Sequence, residues 1–97
     1  MKTLLQAIAE EFKVPEAEIL GDRQDREFCD ARKAYFYFLR DIMQLPWWRM
    51  TNITGRKLSI MDYNRKRCKK LMDTDFRFRR SIDNIMHQYI DNQIEQP

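Results

Sequence analysis

The chain has 97 residues, 43% hydrophobic and 34% charged, enough to bury one core and too few for a catalytic domain beside a regulatory one. Two Gly and three Pro cannot furnish the turns of a sheet or several long loops, so the composition predicts a single all-α domain over residues 1–97. The net charge of +3 conceals an uneven distribution: residues 56–80 carry +7 and 23–55 carry +2, whereas 1–22 and 81–97 carry −3 each, which places any footprint for an anionic partner in one quarter of the chain.

Taken in chain order, Leu4, Leu5, Ile8 and Phe12 recur at helical spacing until Val14-Pro15 breaks the pattern, with Pro15 suited to the first turn of the next helix. A turn or two from Glu16 to Leu20 presents Ala17, Ile19 and Leu20 and stops at Gly21, expected as a left-handed cap. From Asp25 to about Gln44 the apolar positions Phe28, Ala31, Tyr35, Phe38, Leu39 and Ile42 trace a core-facing stripe, widened by Phe36 and Tyr37, and predict the central helix. Pro46 opens a short helical segment, Trp47 to Ile53, and Thr54-Gly55 turns the chain. In Lys57 to Met72 the residues Met61, Asn64, Cys68 and Leu71 share one face, leaving Lys57, Ser59, Asp62, Lys66, Lys69 and Lys70 mainly outside. A short helix, a turn with Gly and a longer basic helix form the pattern of a helix-turn-helix, whose second helix enters the major groove of DNA. The last helix is expected to start at the caps Asp73-Thr74 and to run through Phe78, Ile82, Ile85, Met86, Tyr89, Ile90 and Ile94, long enough to brace the bundle or to pair with a second copy. The predicted core comprises Leu5, Ile8, Phe12, Ile19, Leu20, Phe28, Tyr35, Phe38, Leu39, Ile42, Met61, Cys68 and Leu71.

Catalytic chemistry has no evident seat. His87 is the single histidine, Gly21 and Gly55 are too far apart to make a phosphate-cradling loop, and no nucleophile–base or carboxylate pair stands out. Cys29 and Cys68 lack metal-ligand spacing and read as reduced, small core residues. The sequence therefore predicts no enzyme, no metal and no cofactor. No apolar run approaches the roughly 18 residues of a membrane span, and the stretch from Met1 to Phe12 holds two Glu, unlike a signal peptide. A soluble, cytoplasmic protein with no membrane partner is expected.

The run Gly21-Asp22-Arg23-Gln24-Asp25-Arg26-Glu27-Phe28-Cys29-Asp30-Ala31-Arg32, continued by Lys33 to Asp41, resembles the basic loop and long central helix of the C-terminal DNA-binding domain of the bacterial replication initiator DnaA. Ile19-Leu20 before Gly21, the opening around Leu5 to Val14, Gly55-Arg56 ahead of the basic helix, and Asp75 with Phe78, Ile82 and Ile85 fall in the same order. The similarity covers about residues 3–90; the ATPase module of that family is missing from the sequence, which implies either a stand-alone divergent relative or a cut-out domain. It implies a helical bundle akin to the Trp-repressor superfamily, with the helix-turn-helix in the major groove and Arg26 of the basic loop in the minor groove. Where that family opens its recognition helix with Asp and His, this chain has Lys57 and Leu58, and the preceding turn, Met50 to Gly55, is one residue shorter. Both departures touch base-reading positions, so altered specificity is implied.

The expected function is binding of double-stranded DNA through Arg26, Arg32, Lys33, Arg56, Lys57, Leu58, Ser59, Ile60 and Lys66, as in a transcriptional regulator or replication accessory protein of a bacterium or mobile element. Lys57 would meet a guanine or a phosphate, Leu58 or Ile60 a thymine methyl, and Lys66 a backbone phosphate. The alternative is a protein-interaction domain on the same fold, or a homodimer. Trp47 and Trp48 would form the partner surface, since two adjacent Trp cannot both face the core from one helix. A continuous positive patch joining Arg26, Lys33, Arg56 and Lys66 would favour DNA; interruption by Asp25, Asp30 and Asp62 would favour a protein partner.

Overall fold

Thr3 closes a capping box on the first helix: its hydroxyl accepts from the Gln6 amide at 3.1 Å while the Gln6 side chain accepts from the Thr3 amide at 2.8 Å, satisfying two donors that a helix start leaves unpaired. This helix, α1, spans Leu4–Phe12 in the computed structural model, which describes residues 2–91. It ends at Lys13, in the left-handed conformation (φ 58°), with the Val14 amide donating to the Ala9 carbonyl at 3.1 Å. A single 3-10 turn, Glu16–Glu18, follows Pro15; it buries Ile19 and leaves Ala17 exposed. Gly21 is not the left-handed cap the sequence suggests, because its φ is not positive. Space explains it instead: a Cβ there would lie 3.2 Å from the Glu18 carbonyl oxygen.

The central helix, α2, spans Arg26–Tyr37 and continues into a π-helical stretch, Phe38–Ile42. The wider pitch shows in the Met43 amide, which donates to the Phe38 carbonyl at 2.8 Å, and Gln44 (φ 56°) ends the run. The expected extent of about Asp25 to Gln44 holds, with a change of pitch that apolar spacing does not encode. α2 lies between α1 and the long basic helix, so apolar residues are buried around most of it: Phe28, Ala31, Ala34, Tyr35, Phe36, Phe38 and Leu39. The fully buried Ala31 and Ala34 let neighbouring elements approach closely.

Three helices complete the bundle: α3, Trp47–Thr54; α4, Leu58–Thr74; and α5, Phe76–Met86, extended by a π-helical stretch His87–Asp91. No strand occurs among the described residues, and none of their helices is long and apolar enough to cross a membrane. α4 continues past Met72, so Asp73 and Thr74 do not cap the last helix. The Thr74 hydroxyl donates back to the Lys70 carbonyl at 3.1 Å, while the Asp75 carboxylate accepts from the Arg77 and Phe78 amides at 3.0 and 3.2 Å. The longer α4 keeps Leu71 and Met72 packed on the core, and Asp75 is the cap that admits Phe78, Ile82 and Ile85 to it. The side chain of Ile90 and the whole of Ile94 lie outside the described residues.

One core joins all five helices. Ile8, Ile19, Phe28, Tyr35, Phe38, Leu39, Met61 and Cys68 are buried as expected; Leu5, Phe12, Leu20, Ile42 and Leu71 are half-buried against them. The Phe12 and Phe78 rings, 6.1 Å apart, tie α1 to α5. Cys29 is a correction: it is only half-buried, with its thiol donating to the Gln24 carbonyl at 3.5 Å. Both cysteines are free, and no metal-binding cluster occurs among the described residues.

Candidate nucleic-acid interface

The α3–turn–α4 unit is a helix-turn-helix in its connectivity, and the sequence explains its turn. Gly55 adopts φ 70°, and its amide donates to the Thr51 carbonyl at 2.8 Å; a left-handed residue at this position is what glycine supplies without strain. The Thr54 hydroxyl donates to the Met50 carbonyl at 2.8 Å and accepts from the Arg56 amide at 3.1 Å. Met50 and Met61, both fully buried, fix α3 and α4 to the core.

A cationic network holds the entrance to α3. The Arg40 guanidinium stacks 4.5 Å from the Trp47 ring and donates to the Leu45 carbonyl at 2.9 Å, while Arg65 of α4 lies 6.0 Å from the same ring. Arg65 Nε stands 3.5 Å from Asp41 and 3.6 Å from Asp62. These contacts are ion pairs rather than aligned hydrogen bonds, since Arg65 Nε and Asp41 Oδ2 are buried without a hydrogen-bonding partner.

The first two turns of α4 project outward. Lys57 stands at the N-cap with no side-chain cap, and no acid occupies the first turn, so the positive end of the helix dipole is uncompensated there. Leu58 and Ile60 are 48% and 46% exposed, Tyr63 63%. Ser59, Tyr63, Lys66 and Lys70 follow one another along the outer face at three- and four-residue steps, and all are exposed. Tyr63 escaped the sequence reading although it lies four residues after Ser59 and three after Ile60, on the same face.

Beside this face, α2, α4 and the loop before α2 enclose a cleft of about 330 Å³. Arg32, Lys33, Arg56 and Ile60, all expected in the site, line it together; Asp22, Gln24, Cys29, Tyr63 and Asn64 line it as well and were not foreseen. The loop is held in place from two sides. Arg23 lies 4.6 Å over the Phe28 ring and pairs with Asp25, and Arg32 Nε donates to the Ile19 carbonyl at 2.7 Å. Arg32 is thus a half-buried structural cation rather than an extended surface arm, and its second terminal nitrogen is buried without an acceptor.

The positive patch is interrupted at both ends, the outcome expected of a protein partner rather than of DNA. Arg26 pairs with Asp30 at 3.7 Å and with Asp75 at 3.3 Å, and Lys66 pairs with Asp62 at 2.9 Å. Lys33, Arg56 and Lys57 form no ion pair among the described residues. Burial of the Asp30 carboxyl raises its pKa, opposed by the positive charges of Lys33 and Arg26. Asp25 pairs with Arg23.

The tryptophans divide as their adjacency requires: Trp47 is half-buried under Arg40, and Trp48 is 67% exposed. On the side of the α2 terminus, a second hollow of about 310 Å³ is lined by Leu5, Leu39, Met43, Leu45 and Ile53 with Arg49 at its margin. Trp48 does not line it. His87, exposed on the C-terminal extension, stands apart from both features. Comparison of the chain with protein-family models, with curated proteins and with solved structures gives no significant match.

Proposed function

We propose that this domain is a duplex-DNA-binding module, with the N-terminal turns of α4 in the major groove and Arg26 directed to the adjoining minor groove, and that it performs no catalysis. One observation carries the reading: the start of α4 is exposed, uncapped and free of acid, and it adjoins a cleft where Arg32, Lys33 and Arg56 converge. Helix N-termini and unpaired cations are the groups that meet phosphates. Ser59 and Lys57 offer polar atoms to base edges, and Leu58 and Ile60 offer aliphatic surface to thymine methyls. The DnaA-type pairings of Asp and His with bases are not part of the proposal, since Lys57 and Leu58 occupy those positions.

A salt series with random and selected duplexes tests it. Binding should weaken steeply with salt; replacing Lys66 should weaken all sequences alike, and replacing Lys57 or Ser59 should alter preference among sequences. Absence of duplex binding even at low salt would refute the proposal. The second reading, a protein-binding module, draws on the exposed Trp48 and on the carboxylates that occupy Arg26 and Lys66.

A further inference from the structure

The cleft between α2 and α4 contains more chemistry than a phosphate track along DNA would use. Three cations, Arg32, Lys33 and Arg56, converge there with one carboxylate, Asp22, so the cleft has a net positive charge. Arg32 is the informative one. Its Nε is bound to the Ile19 carbonyl, one terminal nitrogen lies 3.8 Å from the Cys29 sulfur, and the other is buried with no acceptor. With no carboxylate partner among the described residues, this half-buried guanidinium leaves positive charge beside the cleft that attracts an anion held there by other side chains.

The remaining lining residues differ in kind. Tyr63 presents an exposed aromatic ring and Ile60 exposed aliphatic surface, and the buried Phe36 lines the cleft with them. Asn64 spends one N–H on the Ile60 carbonyl at 2.9 Å, and Gln24 donates to the Asp22 carbonyl at 3.2 Å. Each amide keeps a second N–H, which can read the edge of a ring. At about 330 Å³ the cleft is near the lower end of small-ligand sites, which suits one nucleotide and not two.

The geometry points to a nucleoside monophosphate as the occupant, its phosphate on Lys33 and Arg56 with Arg32 behind them, its base against Tyr63 and Ile60, and Asp22 available to ribose hydroxyls or a base amine. The same chemistry could reach the cleft as a free mononucleotide or as an unstacked nucleotide of a nucleic-acid strand, and it does not depend on duplex binding by the outer face of α4.

Titration of the ¹⁵N-labelled full chain with the four common nucleoside 5′-monophosphates, inorganic phosphate and the parent nucleosides tests it, with a short single strand as a separate arm. A saturable shift is expected for the amides of residues 21–24, 29–36 and 56–64 with at least one monophosphate. Phosphate alone and nucleoside alone should each bind about tenfold or more weakly, as the loss of a charge-assisted bond or of a stacked ring requires. Arg56→Gln and Tyr63→Ala alter exposed or half-exposed side chains and should each weaken binding by about tenfold, while Arg80→Ala, exposed on α5 and away from the cleft, should leave it within about twofold. Tighter binding of the strand than of the free nucleotide would identify the strand as the source. No saturable shift, equal binding of inorganic phosphate, or unchanged binding by Arg56→Gln would overturn the inference. Duplex binding that fails while nucleotide binding persists would remove the proposed function and leave this one standing.

Discussion

Asp62→Asn offers a gain-of-function test, because Asp62 is the carboxylate that occupies Lys66. The ammonium lies 2.9 Å from Asp62 Oδ2 one helical turn away, with Lys66 largely exposed and Asp62 about one-quarter exposed. Such an i,i+4 pair on a helix surface contributes about 0.3–0.5 kcal/mol, so its loss should hardly move the melting temperature. Asp62 also lies 3.6 Å from Arg65, but Arg65 retains Asp41 at 3.5 Å. If α4 binds duplex DNA, Lys66 must exchange Asp62 for a phosphate and the variant is spared that exchange, so its affinity should rise by about twofold, the equivalent of the about 0.3–0.5 kcal/mol of the pair. The gain should shrink as salt screens the pair, while the slope of log affinity against log salt stays close to that of the parent. Fluorescence anisotropy with a labelled random duplex at four or five salt concentrations measures both quantities. An unchanged affinity in a variant that melts like the parent would show that this face of α4 does not meet phosphates.

Gly55→Ala should destabilise by about 1 kcal/mol, since φ 70° is strained for any side chain while nothing lies within 4 Å of the added Cβ; thermal unfolding should show a fall of about 4–8 °C. Cys68→Asp should cost about 3 kcal/mol or more, because it places a carboxylate in a fully buried site, and a melting temperature unchanged from the parent would contradict that placement. Burial pushes the Cys68 thiol from 9.0 up to about 12, so the unfolded chain loses this proton first as pH rises. The contribution is fully present below pH 9 and is lost between 9 and 12, on the order of 4 kcal/mol in all; Cys68→Ala should flatten the alkaline fall in denaturant midpoint, leaving the part due to Tyr35 and Tyr37, whose burial also raises them. Trp47→Ala should cost about 2 kcal/mol by removing the ring that Arg40 covers, and Trp48→Ala should stay within about 0.5 kcal/mol in urea unfolding.

The helices were readable because apolar spacing reports burial: the α2 stripe through Phe28, Tyr35, Phe38 and Leu39 and the α4 pair Met61 and Cys68 occupy the core they predict. What escaped depends on contacts that spacing does not contain. Three successive residues, Asp73, Thr74 and Asp75, are each competent caps, and only packing of Leu71 and Met72 decides among them. Gly21 and Gly55 are identical in sequence terms, yet one serves close approach to Glu18 and the other a left-handed turn. In the candidate site, Lys57, Leu58, Ser59 and Ile60 were legible as candidates from local sequence, a helix start after a Gly turn and the resemblance of residues 55–61 to a recognition helix. The cleft was not, because it requires the loop at Gly21–Gln24 to lie against α4 some 40 residues later.

The same distinction governs the electrostatics. A count of +7 over residues 56–80 suggests a uniformly basic helix, but the structure distributes that charge unequally. Arg65 is drawn inward to Asp41 and Trp47, and Lys66 is occupied by Asp62, whereas Arg56 and Lys57 at the helix start form no ion pair among the described residues. Exposed pairs exchange their carboxylate for a phosphate at little cost, because each is worth only about 0–1 kcal/mol. The half-buried Arg65 cannot do so without uncovering Trp47 and Asp41. Affinity for any polyanion should therefore rise when Asp62 is neutralised and should be insensitive to Arg65 except through unfolding, and this separates placement of charge from its total as the determinant of binding.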